Sequence, residues 1–221
     1  MVWLAAIALL WLGGCAQDET VSPASPFIER MEQERAKLDA LPADVDLKTR
    51  FASVYVLDQH PRMQMGDIMK SDMPPDQKAQ AMAEARAFMA EQDPRNLKIV
   101  LDHLPPEGWY IRSQYGVEVA TTAFLVVQHS NLETWQRFVP VLEPLVAQGE
   151  VDGPSYALMF DRLALAEQRP QRYGSQVTCQ DGRWVAMDLE APESVDERRR
   201  AMGFSQSYAD YLSGFTSMAC Q

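Results

Sequence analysis

The sequence predicts a mainly α-helical domain of about seven to nine helices with one β-hairpin near the C-terminus. Along most of the chain, apolar residues recur at helical spacing between capping residues. Residues 117–127 are almost entirely apolar but too few to cross a bilayer, so they predict a buried central helix. Residues 172–189 have the pattern of two short strands, joined at Asp181-Gly182, a strong hairpin signal.

The N-terminal segment contains no charged side chain and ends in Leu12-Gly13-Gly14-Cys15. It resembles a bacterial lipoprotein signal peptide, although basic residues are missing from its start. The Cys15 thiol would take a diacylglycerol, and after cleavage its amine would take a third acyl chain, which is enough for stable anchoring. Ala16 at the next position favours the periplasmic face of the outer membrane. The alternatives are an ordinary cleaved signal peptide or a buried helix with an incidental cysteine.

The resulting organisation is a signal peptide at residues 1–14, a small polar tether at 15–25 and a single helical domain at 26–221. The formal net charge of −11 belongs entirely to the part after the signal peptide. An acidic surface argues against nucleic acid, because phosphate binding requires clustered Lys and Arg. The partners expected from the sequence are the membrane, through the lipid anchor, and an envelope protein.

Capping residues set the predicted helix boundaries. Ser25-Pro26 opens the first helix, and Asp46 caps the second, which ends before a loop containing Pro61 and Gly66. Asp93-Pro94 interrupts the next helical segment and caps the one that follows. The predicted helices span about 26–41, 47–59, 72–91, 94–103, 116–128, 132–148, 153–167, 195–202 and 206–212.

Two cysteines remain once Cys15 is assigned to lipid. Cys179 and Cys220 form an even pair in an oxidising compartment, where a disulfide would tie the tail to the hairpin and close a loop of about 40 residues. Two free thiols are the alternative, since sequence does not supply the Cα spacing. The spacing of Cys and His residues matches no zinc site, and the methionines are typical of residues that fill a core. The sequence therefore predicts neither a metal nor a cofactor.

Between residues 93 and 203, short motifs follow one another in a characteristic order. They are Asp93-Pro94-Arg95-Asn96, Gly108-Trp109, Val127-Gln128-His129, Asp161-Arg162, residues 171–176, and Val195-Asp196-Glu197-Arg198-Arg199 followed by Gly203. Over about 95–214 this order resembles an uncharacterised bacterial family, a domain of unknown function. The family's usual Tyr-Gly-Thr-Gln stands here as Tyr-Gly-Ser-Gln, which keeps the hydroxyl. The resemblance implies a helical domain with a hairpin and no known activity.

Two helix positions carry polar groups in apolar surroundings. His129 ends the most apolar helix, where an imidazole can act as base, acid or ligand, or interact with the helix dipole. Asp161 and Arg162 lie within another apolar helix, where a charged pair needs partners. They can form a structural ion-pair node, or Arg162 can hold a carboxylate or phosphate.

The strand start and a late helix add further polar side chains. The chain enters the hairpin at Gln171, Tyr173 and Gln176. These side chains form either the wall of a binding site or a hydrogen-bonding brace to neighbouring helices. Asp196 suits the first turn of its helix, while Arg198 and Arg199 either face solvent or turn inward. Because isolated buried charges are costly, we expect one polar cluster. Its predicted members are His129, Asp161, Arg162, Gln171, Tyr173, Gln176, Asp196, Arg198 and Arg199.

The sequence shows no nucleophile elbow, metal motif or phosphate-binding loop. We therefore expect a non-catalytic binding or scaffold lipoprotein of the envelope. One alternative is a hydrolase that uses His129 with Asp161. Another is an inhibitor or immunity-type module, whose acidic surface would meet a basic protein partner.

Overall fold

The computed structural model describes residues 25–215 and Cys220. The predicted signal peptide, Cys15 and the predicted tether up to residue 24 lie outside the described residues. The described part contains nine α-helices, a short 3-10 helix and one two-stranded antiparallel hairpin, which confirms the predicted fold class. The elements are α1 (Pro26–Asp39), α2 (Leu47–Lys70), α3 (Pro75–Asp102), α4 (Arg112–Tyr115), α5 (Val117–Gln128), α6 (Leu132–Ala147), α7 (Gly153–Ala166), β1 (Val177–Gln180), β2 (Arg183–Ala186), a 3-10 helix (Pro192–Ser194), α8 (Val195–Ala201) and α9 (Tyr208–Ser213).

Two prolines that predicted helix ends lie inside helices. The predicted loop at Pro61 and Gly66 is wrong, because α2 continues to Lys70, and the predicted break at Asp93-Pro94 is wrong, because α3 runs through it. An interior proline loses one backbone hydrogen bond and crowds the carbonyl four residues earlier. Here α2 and α3 pack against each other and Pro61 is buried between neighbours, so burial along the continuous helices offsets the local cost.

Helix α5 is the central helix that its apolar sequence predicts. It contacts α2, α3, α4 and α6. Its buried side chains are Val119, Ala120, Thr122, Ala123, Phe124, Val126 and Val127. Trp109 and Tyr110, just before α4, extend this core, and the buried Tyr110 hydroxyl donates to the Val100 carbonyl at 2.7 Å. The core therefore holds the C-terminal end of α5, and His129 after it, against α2 and α3.

The hairpin is shorter than the predicted strands at 172–179 and 183–189. Its register pairs Val177 with Ala186, and the turn residues Asp181 and Gly182 have φ of 52° and 74°, as a two-residue hairpin turn requires. Residues 172–175 do not join the ladder, because their backbone groups bond to side chains from other elements.

The chain end returns to the hairpin. Helix α9 begins at Tyr208, two residues later than the predicted start at 206, and the Ser207 hydroxyl accepts from the Asp210 backbone N–H. Cys179 and Cys220 form a disulfide with a Cα–Cα distance of 5.7 Å. This bond fixes the tail to β1. Within residues 25–215, no helix combines the length and apolar character needed to cross a membrane.

Gly153 opens α7 where that helix meets the end of α8. A Cβ at this position would lie 2.2 Å from the Met202 carbonyl oxygen, whereas a Cβ at Gly66 in α2 would meet nothing within 4 Å. We expect Gly153→Ala to destabilise the fold by about 1–3 kcal/mol through overpacking. Gly66→Ala, the matched control, should stabilise it by about 0.5–1 kcal/mol, because glycine disfavours helices. Urea unfolding followed by circular dichroism measures both, and equal stability of the two variants would contradict the packing described here.

Candidate functional site

Asp161 lies on α7 with its carboxylate fully buried. It accepts backbone N–H bonds from Arg172 at 2.7 Å, Tyr173 at 3.0 Å and Ser175 at 2.9 Å, and the Ser175 hydroxyl donates to it at 2.8 Å. Both carboxylate oxygens therefore have donors. Charge-assisted bonds of this kind offset the cost of burying the charge.

Two arginines of α8 hold the carbonyl side of the same segment. Arg198 donates to the Arg172 carbonyl at 2.7 Å and also reaches the carbonyls of Glu190 and Ala191. Arg199 is 1% exposed and donates to the Tyr173 carbonyl at 3.0 Å. Burial lowers the pKa of the Arg199 guanidinium, which the charges of neighbouring tyrosines and aspartates oppose. Side chains of α7 and α8 thus bond both the N–H groups and the carbonyls of this segment.

Two glutamines complete this arrangement. The Gln171 amide nitrogen donates to the Gln176 and Met187 carbonyls, and its oxygen accepts the Gln176 N–H at 2.8 Å. We call the whole set the hairpin brace; it comprises Asp161, Gln171, Tyr173, Ser175, Gln176, Arg198 and Arg199. Asp196 lies beside it and accepts the Tyr208 backbone N–H at 2.6 Å, so it fastens α9.

His129 belongs to a different group of side chains. Its Nδ1 lies 2.9 Å from Oδ2 of Asp58, a buried residue of α2. Because a carboxylate only accepts, Nδ1 carries the proton. The amide nitrogen of Gln128 lies 3.4 Å from Nε2, which can accept from it. The imidazole is thus oriented by a buried carboxylate, and its side chain is 16% exposed.

Arg62 links this pair to α3. It donates to Asp93 at 2.7 Å and lies 3.5 Å from Asp58 Oδ1, so one guanidinium spans two carboxylates. Burial raises the pKa of the Asp93 carboxyl, and the hydrogen bond and charge of Arg62 oppose part of that rise. Asp93 was predicted to cap a helix; its side chain instead joins α3 to α2.

Arg162 approaches the same group from α7. It donates to the Gln128 backbone carbonyl at 3.3 Å, and within the described residues no carboxylate lies at ion-pairing distance. Burial, and then the nearby charge of Arg62, lower the pKa of its guanidinium. Its other N–H groups reach solvent. The central polar cluster is therefore Asp58, Arg62, Asp93, Gln128, His129 and Arg162.

The two groups differ in how fully their polar atoms are satisfied. Every carboxylate oxygen of Asp161 has a donor, as a structural brace requires. In the central polar cluster, Asp58 Oδ1 and Asp93 Oδ1 are buried without a hydrogen bond. Buried polar atoms without partners are uncommon in structures, and a catalytic role or a bound group is one explanation for them. The central polar cluster is the candidate functional site.

The single predicted cluster is thus divided in two. His129 and Arg162 do not join Asp161, because the N–H groups before the hairpin occupy that carboxylate. The predicted hydrolase pair of His129 and Asp161 does not form, since the partner of His129 is Asp58. Asp58, Arg62, Asp93 and Gln128 were not predicted from the sequence as members of a site. The available signal was an aspartate and an arginine four residues apart on an apolar helix.

Two further findings bear on what this site can hold. Among the described residues, no three His, Cys, Asp or Glu side chains are grouped as a metal site would need. The cluster combines an oriented imidazole with a guanidinium that lacks a carboxylate partner. Such a pair can bind an anionic group, or move a proton at a bound ligand.

Comparison with known proteins extends over most of the chain. Residues 45–214 match a protein family described as a family of unknown function, which confirms the resemblance found in the sequence motifs. The match includes both the hairpin brace and the central polar cluster. Searches of curated proteins and of solved structures found no match.

Replacing Asp161 by Asn tests the hairpin brace. The amide nitrogen would face backbone N–H groups in place of one accepting oxygen, so we expect Asp161→Asn to cost about 3 kcal/mol of folding free energy. Asp181→Asn, in the exposed hairpin turn, is the matched control and should change little, because asparagine suits this turn. Thermal and urea unfolding compare the two, and an undiminished stability of Asp161→Asn would rule out the brace.

Proposed function

The chain belongs to DUF6624, a family of unknown function, and we propose that it is a non-catalytic binding protein of the bacterial envelope that takes an anionic group at Arg162. The observation that carries the proposal is the state of this guanidinium. It is half-buried, lies near the charge of Arg62, and donates one long hydrogen bond to a carbonyl. A cation partly withdrawn from water without a counter-charge is costly, and a bound carboxylate or phosphate would lower that cost.

The surroundings of Arg162 suit an anion. Asp58 and Asp93, the acidic groups of the central polar cluster, are engaged by His129 and Arg62. An incoming anion therefore meets the N–H groups of the Arg162 guanidinium that reach solvent. The planar guanidinium can bind carboxylate or phosphate oxygens in pairs.

A second candidate function is acid–base catalysis. The Asp58–His129 hydrogen bond favours it, because a carboxylate on Nδ1 orients an imidazole whose Nε2 can act as a base. In this catalytic hypothesis, Arg162 would stabilise the negative charge that develops on a bound ester. Asp58 then takes the role that sequence reasoning gave to Asp161.

The envelope location rests on two supports. The N-terminal sequence ends in Leu12-Gly13-Gly14-Cys15 and is followed by Ala16, the pattern of a lipoprotein directed to the periplasmic face of the outer membrane. The disulfide between Cys179 and Cys220 suits an oxidising compartment such as the periplasm.

Anion binding at Arg162 can be measured directly. We expect inorganic phosphate and acetate, titrated at constant ionic strength, to shift the Nε–Hε resonance of Arg162 with saturation. Arg162→Gln should weaken binding at least about tenfold, because a charge-assisted bond is lost. Arg200→Gln, an exposed arginine on α8, is the matched control and should bind as the unaltered protein does.

The same protein separates the two functions. Incubation with phenyl phosphate and phenyl acetate should leave both esters intact if the site only binds. Turnover that is lost in both His129→Ala and Asp58→Asn would replace the binding role with the catalytic one. Equal anion affinity in the Arg162→Gln variant would refute the binding role.

The lipid anchor is tested through Cys15. Expressed from its own start in a Gram-negative host, the chain should incorporate labelled palmitate and fractionate with outer membranes. Cys15→Ala removes the thiol that takes the diacylglycerol, so the label should be absent and the protein should leave the membrane fraction. An unlabelled, unbound wild type would exclude the anchor.

A further inference from the structure

A cavity of about 260 Å³ lies between α4, the middle of α5 and the start of α7. We propose that it binds a free α-amino acid with an apolar side chain. The lining residues that carry this inference are Trp109, Arg112, Thr121, Phe124, Glu150 and Asp152. From Ser155 at this cavity to Arg162 the α7 axis rises about 10 Å, so the site is separate from the central polar cluster.

Arg112 supplies the group for a carboxylate. Its Nε is buried without a hydrogen-bond partner, and within the described residues its guanidinium has no ion pair at bonding distance. The side chain nevertheless lines the cavity. A planar guanidinium with unused N–H groups fits the two oxygens of a carboxylate.

Two acids on the same cavity supply the groups for an ammonium. Hydrogen bonds from the Ser113 hydroxyl and backbone N–H lower the pKa of Glu150, so this carboxylate is charged at neutral pH. Asp152 receives both the N–H and the hydroxyl of Ser155 on Oδ2. Asp152 is exposed, and its Oδ1 has no hydrogen bond among the described residues, so it can accept from an incoming donor.

The remaining wall is apolar. Trp109 and Phe124 are buried members of the core and present their rings to the cavity. The cavity carries both charges, so it disfavours a ligand with only one kind of charge. A simple anion would be repelled by Glu150 and Asp152, and a simple amine would be repelled by Arg112. A zwitterion with a small apolar side chain satisfies all three walls, and Thr121 adds a hydroxyl.

Leucine and its two truncated analogues test this pairing by isothermal titration calorimetry. We expect L- or D-leucine to bind at least about tenfold more tightly than isocaproate, which lacks the ammonium, or isoamylamine, which lacks the carboxylate. Failure of both leucine enantiomers to bind at millimolar concentration would overturn the proposal. So would equal binding of leucine and either analogue.

Variants locate the binding in this cavity. Arg112→Gln and Asp152→Asn should each weaken leucine binding at least about tenfold, and asparagine keeps the helix cap that Asp152 provides. Arg86→Gln, an exposed arginine on α3, and Arg162→Gln should bind leucine normally. Unfolding temperature without ligand verifies that each variant is folded. Undiminished binding in folded Arg112→Gln would overturn the site, while the anion site at Arg162 would be unaffected.

Discussion

The buried carboxylate of Asp161 is the contact on which the C-terminal third of the fold depends. Residues 172–175 enter the hairpin without ladder partners, so their N–H groups need acceptors inside the protein. One carboxylate supplies them, while Arg198 and Arg199 take the carbonyls of the same segment. These hydrogen bonds hold the hairpin, α8 and α9 against α7. The disulfide at Cys179 then holds the chain end on the hairpin.

Neighbouring residues of α7 serve opposite purposes. Asp161 faces the hairpin and has every oxygen satisfied, whereas Arg162 turns toward α5 and has one long bond to a carbonyl. Successive helical residues point about 100° apart, so one helix can support a closed network on one side and an open one on the other. Satisfaction of buried polar atoms thus distinguishes the hairpin brace from the central polar cluster more clearly than charge or burial does.

Local signals made much of the fold predictable from sequence. The apolar run of α5, the cap at Asp46 and the Asp181-Gly182 turn each act within a few residues. The helix end predicted at Pro61 was wrong because a local signal does not include packing. The local cost of this proline is outweighed by the contact between α2 and α3. The partner of His129 was out of reach, because Asp58 lies 71 residues away and only the packed helices bring the two together. Two of the six residues of the candidate site were therefore predicted, namely His129 after the apolar helix α5 and Arg162 within the apolar helix α7.

The adjacency of Asp161 and Arg162 also limits how this helix can change over evolutionary time. Insertion or deletion of one residue in α7 before Asp161 would rotate both side chains by about 100° relative to Gly153, which is fixed against the Met202 carbonyl. The carboxylate would leave the hairpin and the guanidinium would leave α5 in the same event. Length changes in this gene are therefore expected to be tolerated in connecting loops and eliminated by selection within α7.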